Sequence, residues 1–300
     1  VKIRVFSCLL PVVFLFACGG EWVAEESSKV SCDISDVPFS TAQKISLSAD
    51  GEKLYILDRY GHAYAYSRNE ARTCAYELDR TPENPDGEIP VSMAENIEKV
   101  GSFLYYYDGI SVLRYDDAEF SCDISLNAFA LTPSFVYYAP SAGLGKNRIT
   151  ATGCVKTNVS FSAARVMTLD ASADRIVTVE TSGALSDPPQ RLVIYDEEGN
   201  ALARSALAAD DVNNSLHFCS ATRVRFGAAF VALLDVKCGY LGVFSLDGEL
   251  MHRLDLSEMG IRNAVDMDIA RDDLFLLTSS SVYPLYFLDF SSFAFGEERM

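Results

Sequence analysis

Ser48-Ala49-Asp50-Gly51-Glu52-Lys53-Leu54-Tyr55-Ile56 is the stretch from which the chain is best read. An Asp-Gly pair between two short apolar runs is a hairpin signal, because glycine accepts the positive φ that such a turn demands. Ile45-Ser46-Leu47-Ser48 before it reads as one strand, and Lys53-Leu54-Tyr55-Ile56-Leu57-Asp58 after it as the next. Past a further turn, Ala63-Tyr64-Ala65-Tyr66 makes a third.

Runs like Lys53 to Asp58 return along the chain. They are Phe103 to Asp108, Phe135 to Tyr138, Arg175 to Glu180, Phe230 to Asp235 and Leu274 to Leu277. Third strands follow at Val112 to Tyr115, Leu192 to Tyr195 and Gly242 to Ser245. Fourth strands lie beyond polar turns, as in Ala201 to Leu207 after Glu198-Gly199-Asn200 and Leu250 to Leu256 after Asp247-Gly248. One segment recurs verbatim: Ser31-Cys32-Asp33-Ile34-Ser35 and Ser121-Cys122-Asp123-Ile124-Ser125. The offset, 121 minus 31, is two units of about 45 residues, a propeller-blade period. Four antiparallel strands per unit and six units predict an all-β, six-bladed β-propeller over residues 30–300. A seven-bladed ring fits if two weak units have been merged, and a pair of β-sandwiches is the plainer alternative.

The segment Ser48 to Ile56 resembles the NHL and YVTN propeller repeats, closely over one blade and loosely over the others. The resemblance implies an architecture and no activity. The second Ser-Cys-Asp-Ile-Ser lies where an outer strand belongs, whereas the first has no inner strands before it. Val30 to Ser35 is therefore expected to supply the outer strand of the last blade and close the ring, with the tail Phe293 to Met300 competing for that place.

The beginning of the sequence has the zones of an export signal: Lys2 and Arg4, an apolar run from Val5 to Ala17, then Cys18-Gly19. The run is shorter than the roughly 20 residues that span a bilayer. Leu15-Phe16-Ala17-Cys18-Gly19 resembles the lipobox of bacterial lipoproteins. That implies a signal peptide over 1–17, cleavage before Cys18 and lipid on Cys18, with delivery to the cell envelope and, by analogy of sorting at Gly19, to the outer membrane. Residues 18–29 are polar and acidic and read as a tether. The membrane partner is thus the lipid anchor.

The formal charge is −17; losing Lys2 and Arg4 takes it to −19. Such a chain is a poor match for nucleic acid, whose phosphates draw Lys and Arg. The chain is expected to be a monomer. Besides Cys8 and Cys18, the cysteines are Cys32, Cys74, Cys122, Cys154, Cys219 and Cys238, an even number suited to disulfides in an exported protein. Pairing Gly227 with Phe230 puts Cys219 opposite Cys238. Cys32, Cys74, Cys122 and Cys154 all read as lying near the start of outer strands, which should splay apart; bonds Cys32–Cys74 and Cys122–Cys154 would need loops to lean together, and free thiols are the alternative.

No nucleophile elbow, phosphate loop or paired-His zinc motif occurs. His62, His217 and His252 fall in different blades, and no catalytic residue is assigned. No cofactor is predicted, with calcium on the loop Glu83-Asn84-Pro85-Asp86-Gly87-Glu88 as the one candidate, though Pro and Gly explain that loop as a turn. Asp58, Asp108 and Asp235 end equivalent strands, either as turn makers or converging on one rim. The expected function is a non-catalytic binding or scaffold module for a protein partner in the envelope. The alternative is a lactonase-like hydrolase with a divalent ion in the central channel. It would need acids on several innermost strands, where Asp266 and Asp268 are the nearest match.

Overall fold

The computed structural model describes residues 29–290, apart from 40, 73, 82–83, 92, 125–127, 182–189, 208–217, 272, 281 and 283. The chain opens with β1 (Lys29–Ser31) and β2 (Asp33–Ile34). Blade one is β3 (Ala42–Leu47), β4 (Lys53–Asp58), β5 (Ala63–Arg68) and β6 (Ala75–Leu78), with β7 (Glu88–Ile89) added to β5. Blade two is β8 (Asn96–Val100), β9 (Phe103–Tyr107), β10 (Ser111–Arg114) and β11 (Asp117–Asp123). Blade three is β12 (Ala128–Leu131), β13 (Phe135–Ala139), β14 (Gly145–Ile149) and β15 (Cys154–Lys156). Blade four is β16 (Arg165–Ala171), β17 (Arg175–Thr181), β18 (Arg191–Asp196) and β19 (Ala201–Ala206). Blade five is β20 (Ala221–Phe226), β21 (Phe230–Asp235), β22 (Tyr240–Ser245) and β23 (Leu250–Asp255). Blade six is β24 (Ala264–Ala270), β25 (Asp273–Thr278) and β26 (Leu285–Leu288), completed by β1. The protein is an all-β, six-bladed propeller.

The six recurrent runs are the second strands of the six blades. A second strand has a neighbour on each side and a packed blade on each face. It therefore reads as a near-continuous apolar run rather than an alternation. In β21 every residue is buried. The buried side chains fall into six clusters, one at each interface between consecutive blades. Ile45, Ile56 and Tyr66 meet Phe275 and Leu277 between blades one and six, and Val177 and Leu192 meet Val224 and Phe244 between blades four and five. Each such side chain contributes roughly 1.5–3 kcal/mol by leaving water. Exposed ion pairs such as Arg80–Asp36 are worth about 0–1 kcal/mol, so blade-to-blade burial holds the ring. Gly51 sits at φ 68° in the β3–β4 turn, which accounts for the Asp-Gly signal.

The ring closes as the repeated segment suggests, with one correction. β1 pairs antiparallel with β26, Lys29 opposite Leu288 and Ser31 opposite Tyr286. Val30 to Ser35 is not a single strand, however. It leaves blade six at Cys32, and β2 then runs parallel to β6 on blade one, Asp33 opposite Ala75. The tail Phe293 to Met300, the signal region 1–17, Cys18 and the tether to residue 28 lie outside the described residues.

The same crossing explains the cysteines. Cys32 follows β1 and Cys122 lies near the end of β11, so neither begins an outer strand as the sequence reading placed them. Cys154 does begin its strand, and Cys74 immediately precedes its own. Twist accumulates from the innermost strand to the outermost. It brings the finish of one blade's outer strand to the start of the next one's, rather than splaying them. Disulfides join Cys32 to Cys74 and Cys122 to Cys154, with Cα atoms 4.8 and 5.2 Å apart. Beside the second, Ser121 bridges in parallel to Gly153, where a Cβ would come within 2.4 Å of the Ser121 carbonyl oxygen. Both copies of Ser-Cys-Asp-Ile-Ser thus do one job, on blades six and two. Cys219 bonds Cys238 at a Cα separation of 5.8 Å. Three disulfides suit an extracellular or periplasmic protein.

Candidate functional site

An innermost strand is a sheet edge, and its outward N–H groups need partners. Side chains on the innermost strands of blades one, two, four and six supply them to the next blade. Four of the six innermost strands carry a bulge near their start, at Gln43, Met167, Thr222 and Val265. A bulge re-aims the residue after it. Aligning the strands on their second-strand partners gives two rings of side chains around the axis. The upper ring is Lys44, Asn96, Ala128, Thr168, Arg223 and Asp266. The lower ring, two residues on, is Ser46, Glu98, Ala130, Asp170, Arg225 and Asp268.

The lower ring stitches blade to blade. Ser46 Oγ accepts from Lys99 N (2.7 Å), Glu98 Oε1 from Leu131 N (3.4 Å), Asp170 Oδ2 from Phe226 N (2.7 Å) and Asp268 Oδ2 from Leu47 N (2.7 Å). In each case the acceptor serves the following blade. Ala130 and Arg225 cannot accept, and there Asp170 and Asp268 also take the N–H of their own next residues, Ala171 and Ile269. Arg225 lies among these acids, with Nη1 3.3 Å from Asp170 and Nε 3.0 Å from Asp268. In the upper ring Arg223 holds Asp266 through Nε and Nη2, while Asp266 also accepts from Ile45 N at 3.0 Å.

The sequence reading took Asp266 and Asp268 as the nearest acids and set the other innermost strands aside. Glu98 and Asp170 correct it, since they bring four carboxylates into the channel. The available signal was a polar i, i+2 pair on five of the six first strands: Lys44/Ser46, Asn96/Glu98, Thr168/Asp170, Arg223/Arg225, Asp266/Asp268. Two-residue spacing puts both members on one face. The chemistry of the four is already committed. Every one accepts backbone N–H groups, and Asp170, Asp266 and Asp268 also face guanidinium. Arg225 stands where a divalent ion would draw the same oxygens together.

Burial pushes the Glu98 carboxyl up to about 8, helped by Asp170 and Asp268 and opposed by Arg225. Burial likewise raises Asp268 to about 6 and Asp170 above its ordinary range, both against Arg225. Burial would raise Asp266 too, but Arg223 and then Lys44 outweigh it and hold it low. An acid whose folded value is raised takes up protons on folding between its unfolded and folded values. Its contribution to stability is present at low pH and lost as pH rises through the folded value. For Glu98 that window runs from about 4.5 to about 8. We expect the urea midpoint to fall as pH rises from 5 to 8, and Glu98→Gln to flatten that fall. An E98Q profile parallel to that of the unaltered protein would place the proton uptake elsewhere.

Above the upper ring lies a cavity of about 150 Å³, lined among others by Lys44, Asn96, Phe129, Met167, Thr168 and Arg223. Around its mouth the second-to-third strand turns are built by acids. Asp58 accepts from Tyr60 N and His62 N, Asp108 from Ile110 N and Ser111 N, Asp235 from Lys237 N and Cys238 N. These aspartates cap turns and do not converge. His62 belongs to such a turn, His252 sits on β23, and His217 is outside the described residues. Cys219 and Cys238 lie together at this rim with Asp235, but the two sulfurs are bonded to each other and are no ligand pair. In the calcium candidate, Asn84 Nδ2 donates to Glu88 O at 2.8 Å and Gly87 N to Asn84 O; Glu83 is outside the described residues.

The turns expose apolar side chains. Tyr60, Met93, Ile110, Met167, Val236 and Val282 are six of the ten exposed large hydrophobics among the described residues, and all six belong to this end of the ring. Met93 is 78% exposed and Ile110 73%. Single exposed apolar residues are ordinary, but a concentration on one face marks a contact surface.

No family model matches the chain, and no curated protein matches it. Among solved structures it is similar to the Neurospora crassa Pan2 WD40 domain, with 13% identity, TM-score 0.49 and coverage of 82% of this chain and 88% of that one. It is also similar to Kluyveromyces lactis Hsv2 (14%, TM-score 0.47, 79% and 70%) and to virginiamycin B lyase from Staphylococcus aureus (11%, TM-score 0.47, 82% and 83%). The propeller architecture stands on the chain's own sheet topology.

Proposed function

We propose that this chain is a lipid-anchored envelope protein whose propeller is a non-catalytic binding module, docking a protein partner on the rim where the first strands begin. The observation that carries the reading is the gathering of Tyr60, Met93, Ile110, Met167, Val236 and Val282 on that rim. Turns on a rigid ring present such a surface at little ordering cost. The anchor rests on the resemblance of Leu15 to Gly19 to a lipobox. A metal-dependent hydrolase would need carboxylates free to turn onto a cation, and in the channel these hold backbone amides and arginines instead.

A photo-crosslinking residue placed at Ile110 or Met93 in the full-length protein, in its own cells, is expected to give a discrete adduct. The same residue at Leu202, exposed on outer strand β19, serves as control. No adduct from the rim, or equal yield from Leu202, would overturn the docking reading. Ile110→Glu is expected to abolish the Met93 adduct without moving the melting temperature. Separately, Cys18→Ser is expected to lose metabolic labelling by an alkynyl fatty acid and to leave the membrane fraction; retained label would sink the anchor.

A further inference from the structure

The cavity at the channel mouth carries more than a docking rim requires. Its polar wall is formed by Lys44, Asn96, Thr168, Thr222 and Arg223, and its apolar wall by Ala128, Phe129 and Met167. Tyr107 and Glu95 complete the lining. Two groups on the polar wall stand out. The Thr168 hydroxyl, on a residue only 3% exposed, has no hydrogen-bond partner. A buried hydroxyl left unpaired costs about 1–3 kcal/mol; the residue that carries it lines the cavity, and a turn of its side chain would bring the hydroxyl to whatever fills that space. The second group is the Lys44 ammonium, which makes no hydrogen bond or ion pair among the described residues.

The charge at the site favours an anion. Arg223 spends Nε and Nη2 on Asp266, which balances that pair and leaves Nη1 outside it. Burial and then Arg223 lower Lys44 to about 8, against the pull of Asp266; Lys44 and Arg223 share that one carboxylate, which leaves the group with one net positive charge. Glu95 lies away from it, its carboxylate against Gly109 in the β9–β10 turn. One net positive charge calls for one negative charge, and a dianionic phosphate would be left half compensated. The apolar wall calls for a small hydrophobic body behind the charged head.

We propose that the channel mouth binds a carboxylate, with Lys44 and the Thr168 hydroxyl as donors to its oxygens and Phe129 and Met167 packing its apolar body. This deepens the docking reading, on which it rests for the case that the carboxylate is the C-terminus of the partner protein. A free monocarboxylate has the same chemistry.

The test is titration calorimetry of the full-length protein, held in a non-ionic detergent, with N-acetyl-L-leucine, N-acetyl-L-leucinamide and benzoate. Saturable binding of the two acids and none of the amide is expected. Lys44→Met is expected to weaken the acids by about tenfold or more, as for a lost hydrogen bond to a charged group. Thr168→Val should weaken them less. Thr168→Val should melt no lower than the unaltered protein, because it removes a buried hydroxyl that lacks a partner; Lys44→Met, which also takes a cation from beside Asp266, should still unfold cooperatively above the titration temperature. N-acetyl-L-leucine bound tighter than benzoate assigns the ligand to a protein C-terminus, and the reverse order to a free small acid. Absence of binding by either acid, amide binding equal to acid, or binding unmoved by K44M would overturn the proposal. Rim crosslinking separates the two readings: adducts persisting without carboxylate binding would refute this site alone, and binding without adducts would leave it standing by itself.

Discussion

Arg225→Leu is expected to lower stability by about 3–5 kcal/mol, the cost of stripping the counter-charge from buried ions. Arg225 is 5% exposed and lies between Asp170 and Asp268, close enough to Glu98 to oppose its rise. Without it, three acids face one another in a site largely screened from water. Each would then hold its proton to higher pH. The deficit should therefore shrink on acidification from pH 8 to pH 5, since a raised acid contributes most where it is protonated. Adding Asp170→Asn and Asp268→Asn should recover part of the loss at pH 8, because the amide oxygens still accept from Phe226 N and Leu47 N. Urea midpoints at the two pH values decide the matter. A deficit under about 1 kcal/mol, the scale of an exposed pair, would mean that Arg225 does not neutralise the channel.

The second large effect is expected at the ring closure. Cys32 and Cys74 are 42 residues apart in sequence. The chain-entropy model gives about 4 kcal/mol for a loop of that length, within a usual range of about 2–4. Cys32→Ser with Cys74→Ser should cost this amount, and hydrogen exchange should rise first along β1 and β26. The paired change at Cys219 and Cys238, separated by 19 residues, should cost about 3 kcal/mol by the same model and leave β1 protected. Loss of β1 protection in the second variant but not the first would show that the Cys32 bond does not hold the closure.

Much of the ring was legible because its signals are local. Second strands flanked on all sides are apolar nearly throughout, so Phe230 to Asp235 and Arg175 to Glu180 announced themselves. Asp50-Gly51 and Asp247-Gly248 marked turns by backbone demand. The verbatim Ser-Cys-Asp-Ile-Ser pointed to a shared place in two blades, and both copies occupy it. The disulfide geometry was not legible, because outer-strand twist is a property of whole sheets. The channel was half legible. Asp266 and Asp268 stand out on one strand, but Glu98 and Asp170 become partners of Arg225 only once blades two, four, five and six are laid around one axis. Bulges at Met167 and Thr222 add a residue to the register, and no local cue sets them apart. The cavity wall of Lys44 and Thr168 was hidden for the same reason.

The closing strand also sets an order of events. Lys29 pairs with Leu288, so the contact that completes the ring spans 259 residues, 288 minus 29. Contacts of such separation slow folding, because chain entropy is lost before they form. As the chain emerges from the ribosome or the export channel, β1 has no partner until the last blade arrives. Blade one needs only the first stretch of chain, and β2 already lies along it. A Cys32–Cys74 bond made at that stage would hold β1 against blade one, so that closure becomes the docking of blade six on a surface already in place. Refolding from the reduced state should accordingly be slower than from the oxidised one, in a single late step that reports on β26.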